Sequence, residues 1–350
     1  IGDPSGKSEE RNLLDVEQLQ RNVDGMAAQM RRFLDFESAD AAVLVNNHDW
    51  MKKFSYLEFL RDIGKNFPVN VMMAKDSVKS RLEGESGISY TEFSYMLLQA
   101  YDFVHLHNEH GCELQIGGSD QWGNITAGID LARRMKSAQL FGLTMPLLLT
   151  SDGRKMGKTE RGAIWLSPEK TSPYEFYQYW MNVADDDAGK CLRTLTELSH
   201  EEIEALDAAR ASEPQRRESQ KRLAEALTQM VHGDEGLSIA QRATAVFFGA
   251  EISDLSDAQL SQIFADVPNK ELPRDKLTGE GLNIIDAFHE AGLAKSKGDA
   301  RRTVQQGAPY INNRRAAGIE QNRTTADLAS ETVMVLRSGK KKYALLKFTS

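Results

Sequence analysis

Cysteine is the scarcest residue of the chain: Cys112 and Cys191 are the only two in 350 residues. Two thiols exclude a disulfide framework and a four-cysteine zinc site. Long apolar runs are also lacking. No segment approaches the roughly 20 apolar residues that a membrane-spanning helix needs, and the amino terminus carries no secretory-signal pattern. These absences lead to the expectation of a cytoplasmic protein without a membrane partner. The nearest approach to a metal cluster is His105, His107, His110 and Cys112. Residues two apart do not share a helix face, and Gly111 ends the helix, so the group reads as an exposed His-rich last turn and no metal site is expected.

What is present is a chain long enough for two or three domains with sizeable cores. Its 41% hydrophobic and 27% charged residues are ordinary for a globular protein. Charge is unevenly placed. Residues 281–350 hold 12 Lys and Arg against 6 Asp and Glu, a net of +6, so the total of −8 leaves −14 for the rest. An acidic body with a basic tail suits a polyanionic partner held by the tail.

The most informative stretch is 91–124. Tyr95, Gln99 and Asp102 recur at i, i+4 and i+7, which places them on one helix face. Met96, Leu97, Leu98 and Phe103 make the remainder apolar. Such a polar row either edges a solvated helix or awaits a polar ligand as its partner. A short strand signal, Glu113-Leu114-Gln115-Ile116, then runs into Gly117-Gly118-Ser119-Asp120-Gln121-Trp122-Gly123-Asn124. The glycines allow close approach to the backbone, and the carboxyl end of a strand is where ligands bind in open α/β sheets. There an Asp suits ribose hydroxyls and a Gln suits a carboxylate. A third element, Asp152-Gly153-Arg154-Lys155-Met156-Gly157-Lys158-Thr159-Glu160, sets two lysines three apart among glycines. A mobile cationic loop of this kind can neutralise charge as pyrophosphate leaves. It lacks the spacing of the Walker phosphate loop.

With these motifs in order along one chain, the sequence resembles bacterial-type tyrosyl-tRNA synthetase, a class I aminoacyl-tRNA synthetase. The likeness runs from Gly2-Asp3-Pro4-Ser5-Gly6-Lys7 through 155–159, the tyrosyl-type variant of the Lys-Met-Ser-Lys-Ser signature, to the carboxyl terminus. It implies that Asp3, Tyr95 and Gln99 hold the substrate ammonium group, Asp102 accepts from the phenol, and Gln121 faces the carboxyl group. It implies that Gly118 and Asp120 bind the ATP ribose, joined in ATP binding by Lys158. Lys7, Arg11, Lys155, Lys158 and Thr159 would stabilise the departing pyrophosphate. The implied reaction makes tyrosyl-adenylate from L-tyrosine and ATP, with Mg²⁺ accompanying the ATP, and passes the tyrosyl group to the 3′ end of tRNA(Tyr). Adenylation needs no protein nucleophile, because the substrate carboxylate attacks the α-phosphate in line. The family's His-Ile-Gly-His type motif is missing, so the chain is expected to lack an amino-terminal strand–helix unit and to be impaired in adenylation.

The organisation expected is an α/β doubly wound parallel-sheet (Rossmann-like) domain over 1–182, incomplete at its start, then an all-α tRNA-binding domain over 183–265. A linker over 266–280 and a small α+β S4-like RNA-binding domain over 281–350 follow. Helices are expected at 17–36, 54–64 and 71–82, and a strand at 41–45. Further helices are expected at 173–183, 200–212, 214–231 and 239–247. In the last domain, helices at 284–291 and 297–306 and strands at 309–312, 332–337 and 342–348 are expected. Lys295, Lys297, Arg301, Arg302, Arg314, Lys340, Lys341 and Lys342 are the expected phosphate contacts. The resemblance further implies a homodimer formed through the apolar helices around 54–71. Two other readings are a non-catalytic structured-RNA-binding protein on a synthetase scaffold and the related tryptophanyl enzyme.

Overall fold

The computed structural model describes residues 2–5, 14–84, 87–159, 162–253, 255–264, 267–306, 309–316, 322–339 and 342–349. The chain forms two compact units, Ile1–Met156 and Gly157–Ser350.

In the first unit the organising pair is a strand–helix–strand crossover. Helices Val16–Met30 (α1), His48–Met51 (α2), Tyr56–Asp62 (α3), Val69–Met73 (α4) and Asp76–Leu82 (α5) precede the long helix Tyr90–His110 (α6). Strand Leu114–Gly118 (β1), helix Trp122–Lys136 (α7) and strand Phe141–Met145 (β2) follow. β1 and β2 pair in parallel, Leu114 opposite Phe141 and Gly118 opposite Met145, so Gly118 lies at the carboxyl edge of the ladder. Ser89 and Glu92 form a capping box at the start of α6, and Gly111 ends it in the left-handed region at φ 65°. Phe103, Val104, Ala127, Leu131 and Ala132 pack between α6 and α7. Each large apolar side chain buried there contributes roughly 1.5–3 kcal/mol. Gly128 lets the helices meet, because a Cβ would stand 3.0 Å from Phe103 Cδ1 and 3.5 Å from Ala100 Cα.

Two expectations fail here. Residues 41–45 form no strand: a strand exists through its ladder, none includes them among the described residues, and Val43 is 72% exposed. The helix expected over 71–82 divides into α4 and α5. Lys75, with extended backbone at φ −69°, ψ 136°, stands at the head of α5, and its ammonium donates to Thr126 Oγ1 at 3.1 Å.

The second unit opens with a short antiparallel hairpin, Lys158–Thr159 (β3) against Gly162–Ala163 (β4). Helices Pro173–Met181 (α8), Asp185–Leu195 (α9), His200–Ser212 (α10), Glu218–Phe247 (α11) and Asp257–Ile263 (α12) form its helical part. α9 has no counterpart in the sequence reading. Its opening Asp185, Asp186 and Asp187 look like a loop but favour a helix amino terminus. The helix expected over 214–231 starts four residues late: Pro214–Arg216 is a 3-10 turn ended by Arg217 at φ 52°, and its remainder and the helix expected over 239–247 fall within α11, interrupted where Gly233 takes φ 72°.

The stretch expected as a linker is structured over its described residues, 267–280. Strand Asn269–Pro273 (β5) pairs in parallel with the last strand, and Leu272 and Leu277 are 4% and 2% exposed in the core. Pro268 precedes this edge strand and Pro273 ends it, positions that proline tolerates. Strands Leu282–Asn283 (β6), Pro309–Ile311 (β7), Arg314–Arg315 (β8), Asn322–Arg323 (β9), Val333–Ser338 (β10) and Lys342–Thr349 (β11) follow, with helices Ile284–Glu290 (α13) and Lys297–Gln305 (α14) between β6 and β7. The main sheet has the order β5-β11-β10-β7-β8. Its two faces bury different partners. Met334, Leu336, Ala344 and Leu346 meet α13 and α14, whereas Val333, Val335, Tyr343 and Leu345 meet α11 and α12. Asn313, at φ 63°, donates through Nδ2 to the carbonyls of Val246 and Ala250, each at 2.7 Å. Tyr343 Oη donates to Val246 O at 3.2 Å.

Burial in this unit pushes the Cys191 thiol up to about 11. Alkylation of the native protein at pH 8 should therefore mark Cys112 and spare Cys191 until the fold is opened, as intact-mass and peptide mapping would report.

Candidate active site

Of the polar row on α6, Gln99 and Asp102 open onto a cleft of about 960 Å³, and Tyr95 is not among the residues that line it. Gln99, Asp102 and His105 line it from α6, Asn47, Asp49 and Trp50 from the preceding turn, and Gln115 from β1. Asp102 is the best-defined group. Its Oδ1 accepts from Trp50 Nε1 at 2.8 Å and its Oδ2 from Asn47 Nδ2 at 3.0 Å. A carboxylate offers about four acceptor positions, so two remain for a ligand. Burial raises the Asp102 pKa above the usual carboxylate value, opposed by the Asn47 and Trp50 hydrogen bonds and by the charge of His105. Tyr95 is half-buried on the same helix, two turns earlier.

A second polar cluster gathers the ends of the motif residues. Asp3 Oδ2 accepts from Gln121 Nε2 at 2.9 Å, and its Oδ1 accepts from Ser5 N at 3.0 Å and Asn124 Nδ2 at 3.4 Å. Asn124 Nδ2 also reaches Gln121 Oε1 at 3.2 Å. Residues 118 positions apart in sequence thus share one network, and both were expected to touch the same substrate. Gly118 precedes a single turn of 3-10 helix, Ser119–Gln121, and a Cβ on it would lie 2.6 Å from Asp120 Oδ1. The glycine therefore brings the Asp120 carboxylate against the strand end.

The lysine loop is held by its own turn. Thr150 N donates to Arg154 O at 2.8 Å, Gly153 at φ 83° makes the bend, and Arg154 pairs with Asp152 at 2.6 Å. The Arg154 and Thr150 hydrogen bonds lower the Asp152 carboxyl to about 2. Lys155 bridges to Leu149 through the backbone and is exposed. Lys158 and Thr159 lie in β3, and their side chains fall outside the described residues, as do Lys7 and Arg11 altogether.

Three participants escaped the sequence reading. Asn47 and Trp50 stood where 41–45 looked like a strand running into a polar end, and only the fold carries them to Asp102. Asn124 was inside the recognised motif but had no assigned contact. The exposed last turn expected of the histidines is also partly wrong. His105 is half-buried and stacked on Trp50, ring centroids 4.3 Å apart and planes 23° off parallel. His107 is half-buried with Nδ1 3.2 Å from Cys112 O, and His110 is exposed.

On the carboxyl-terminal module the expected phosphate contacts Lys295, Lys297, Arg301, Arg302, Arg314 and Lys342 are all exposed, and Lys340 and Lys341 lie outside the described residues. Three of them already hold acidic partners: Lys297 with Asp286 at 2.7 Å, Arg302 with Asp299 at 3.6 Å and Arg314 with Glu251 at 3.0 Å. Such surface pairs are worth little and exchange readily for phosphate.

Comparison with known proteins identifies the family. Residues 1–249 match the family model described as tRNA synthetases class I (W and Y), and residues 259–346 that of the tyrosine–tRNA ligase SYY-like C-terminal domain. The chain is 62% identical over 347 residues to the tyrosine–tRNA ligase of Rhodopirellula baltica, covering 99% of this chain and 79% of that protein. It is 51% identical over 348 residues to the tyrosine–tRNA ligase of Roseiflexus castenholzii, covering 99% and 82%. Among solved structures, a C-terminally truncated mitochondrial tyrosyl-tRNA synthetase of Coccidioides posadasii aligns with a TM-score of 0.58 at 30% identity, covering 69% of this chain and 70% of that one.

Proposed function

The chain belongs to the class I tRNA synthetases for tryptophan and tyrosine, and from that membership we propose how its residues perform tyrosine–tRNA ligation. The activity is the two-step reaction of a tyrosine–tRNA ligase, which uses ATP, L-tyrosine and tRNA. The observation that carries the amino-acid choice is Asp102: a half-buried carboxylate, fixed by two donors, with acceptor positions left over in a cleft. A phenol hydroxyl satisfies it and a phenyl ring does not, so phenylalanine would leave a desolvated charge unmatched.

In this reading Gln99 and Tyr95 on the same helix, with Asp3, receive the ammonium group. Gln121, held by Asp3, faces the substrate carboxylate. That carboxylate attacks the α-phosphate, a phosphoanhydride bond breaks, and pyrophosphate leaves with its charge met by Lys155, Lys158, Thr159, Lys7 and Arg11. Asp120, brought close by Gly118, binds the ribose hydroxyls. A magnesium ion accompanying the ATP would supply charge neutralisation for the triphosphate. In the second step a terminal tRNA hydroxyl attacks the adenylate carbonyl and AMP departs.

The domain reading is an α/β catalytic region to about residue 182, a helical region after it and the S4-like module at the end. Copies of the chain would pair through α3 and α4, where Tyr56, Leu57, Val69 and Val71 are exposed and Leu57 reaches 76%. Apolar surface of that kind suits an interface. No helix among the described residues is long and apolar enough to cross a membrane. A cytoplasmic location is our proposal from its likeness to bacterial ligases.

The test of the amino-acid assignment is calorimetric titration with tyrosine, tryptophan and phenylalanine. Binding of tyrosine in clear preference to the other two is expected, and equal affinity for tyrosine and phenylalanine would remove Asp102 from its role. For the basic module, deleting 281–350 should weaken tRNA binding and flatten its dependence on salt, because fewer counterions are released. An unchanged salt slope would mean that the module does not grip phosphate.

A further inference from the structure

His105 takes no part in the reading above, yet it is built into the site. It lies three residues beyond Asp102 on α6 and therefore on the same face. Its ring covers Trp50, which is 8% exposed, and Trp50 in turn donates to Asp102. Trp50 belongs to α2, a single turn of four residues without a side-chain cap. A turn that short has no stability of its own. Beside the Asn47 and Trp50 hydrogen bonds to Asp102, a file of rings holds it to α6: Phe54 edge-on to Tyr101 at 5.0 Å, Tyr101 tilted toward His105 at 6.3 Å, and His105 stacked on Trp50 at 4.3 Å. The stack fixes the plane of the indole, and the plane fixes where its N–H points.

We propose that His105 is a positioning residue for amino-acid selection, stacking on Trp50 so that the indole N–H holds the Asp102 carboxylate in the orientation that leaves acceptor positions open to a phenol. The proposal rests on the reading of Asp102 as the phenol acceptor. It concerns a group that touches neither substrate nor reacting atoms. Its signature is therefore selectivity: tyrosine binding depends on the direction of the carboxylate, and phenylalanine binding does not.

The experiment compares tyrosine and phenylalanine affinities of the full chain in His105→Ala, His105→Phe, Trp50→Phe, the His105→Ala/Trp50→Phe pair and Asp102→Ala. His105→Ala should lower tyrosine affinity about tenfold, the scale of one well-placed hydrogen bond, with phenylalanine affinity within about twofold of the parent. His105→Phe keeps a flat ring over the indole and should restore tyrosine affinity to within about threefold. Trp50→Phe removes the N–H and should reproduce the selectivity loss. The double variant should be no worse than Trp50→Phe, since the imidazole acts through the indole. Equal weakening of both amino acids, unchanged selectivity in His105→Ala, failure of His105→Phe to restore it, or additive losses in the double variant would each overturn the proposal. If His105→Ala does not fold, His105→Phe against Trp50→Phe still decides it. Asp102→Ala separates the two ideas. Retained selectivity there removes the underlying reading, whereas lost selectivity there with none lost in His105→Ala removes only this inference.

Discussion

Replacing Asp102 by alanine should weaken tyrosine binding by about 1.5–3 kcal/mol, roughly 10–150-fold, while phenylalanine changes little. The size follows from one hydrogen bond to a charged acceptor in a partly desolvated cleft. The pH dependence should carry the same signature. Burial raises the Asp102 pKa, so the carboxylate takes up its proton at a higher pH than an exposed one would. Tyrosine affinity of the parent should therefore fall on acidification with a midpoint above 3.8, the ordinary value, and the alanine variant should lack that step. The linkage to folding has the opposite sign from that of a salt-bridged aspartate. A raised folded pKa contributes stability below the unfolded value, and the contribution is lost as pH rises through the folded one. Calorimetric titration of both proteins from about pH 3 to 8 checks the binding, and a parent midpoint at or below 3.8 would contradict the burial argument.

The second large effect is structural. Arg81→Ala should destabilise the first unit by about 3–5 kcal/mol, the cost of leaving a buried charge without its partner. Arg81 Nη1 and Nη2 grip both oxygens of Glu92 at 2.6 and 2.9 Å, with the side chains 5% and 2% exposed. Arg81 Nε also donates to Gly87 O at 3.0 Å. Glu92 is the residue whose carboxylate completes the capping box with Ser89. The ion pair thus ties α5, Gly87 and the start of α6 together, and α6 carries Tyr95, Gln99 and Asp102. Thermal unfolding followed by calorimetry, with hydrogen exchange on the α6 amides, should register the loss. Replacing both residues by apolar ones of similar volume should cost much less, because no charge is then stranded. Equal losses in the single and double variants would show that volume rather than charge is at stake.

Legibility from sequence tracked how local the cause was. α6 was readable because its periodicity, its Ser89 start and its Gly111 end all sit within the helix. The strand before Gly118 and the crossover helix behind it were readable for the same reason. The segment 41–45 misled because strand composition describes a side-chain preference, while a strand needs a neighbour. The stretch 266–280 misled in reverse: its few apolar residues include Leu272 and Leu277, which were too sparse to signal burial yet complete the core of the last sheet. In the site, the shared helix face of Tyr95, Gln99 and Asp102 was legible from spacing, whereas the Asp3–Gln121 contact was not, since family likeness assigned the two to different groups of one substrate. Asn47, Trp50 and His105 were not, since their meeting spans more than fifty residues and depends on the packing of one short turn.

The twin hydrogen bonds from Asn313 to the carbonyls of Val246 and Ala250 bear on how the basic module grips RNA. A tethered domain must be immobilised when it binds, and that ordering subtracts from affinity. Here the end of α11 and the sheet are already clamped, so α11 acts as a stiff handle for the module. If the cations on α14 and β8 hold tRNA phosphates as proposed, they do so as a pre-set array, and whatever turns the handle turns the grip with it.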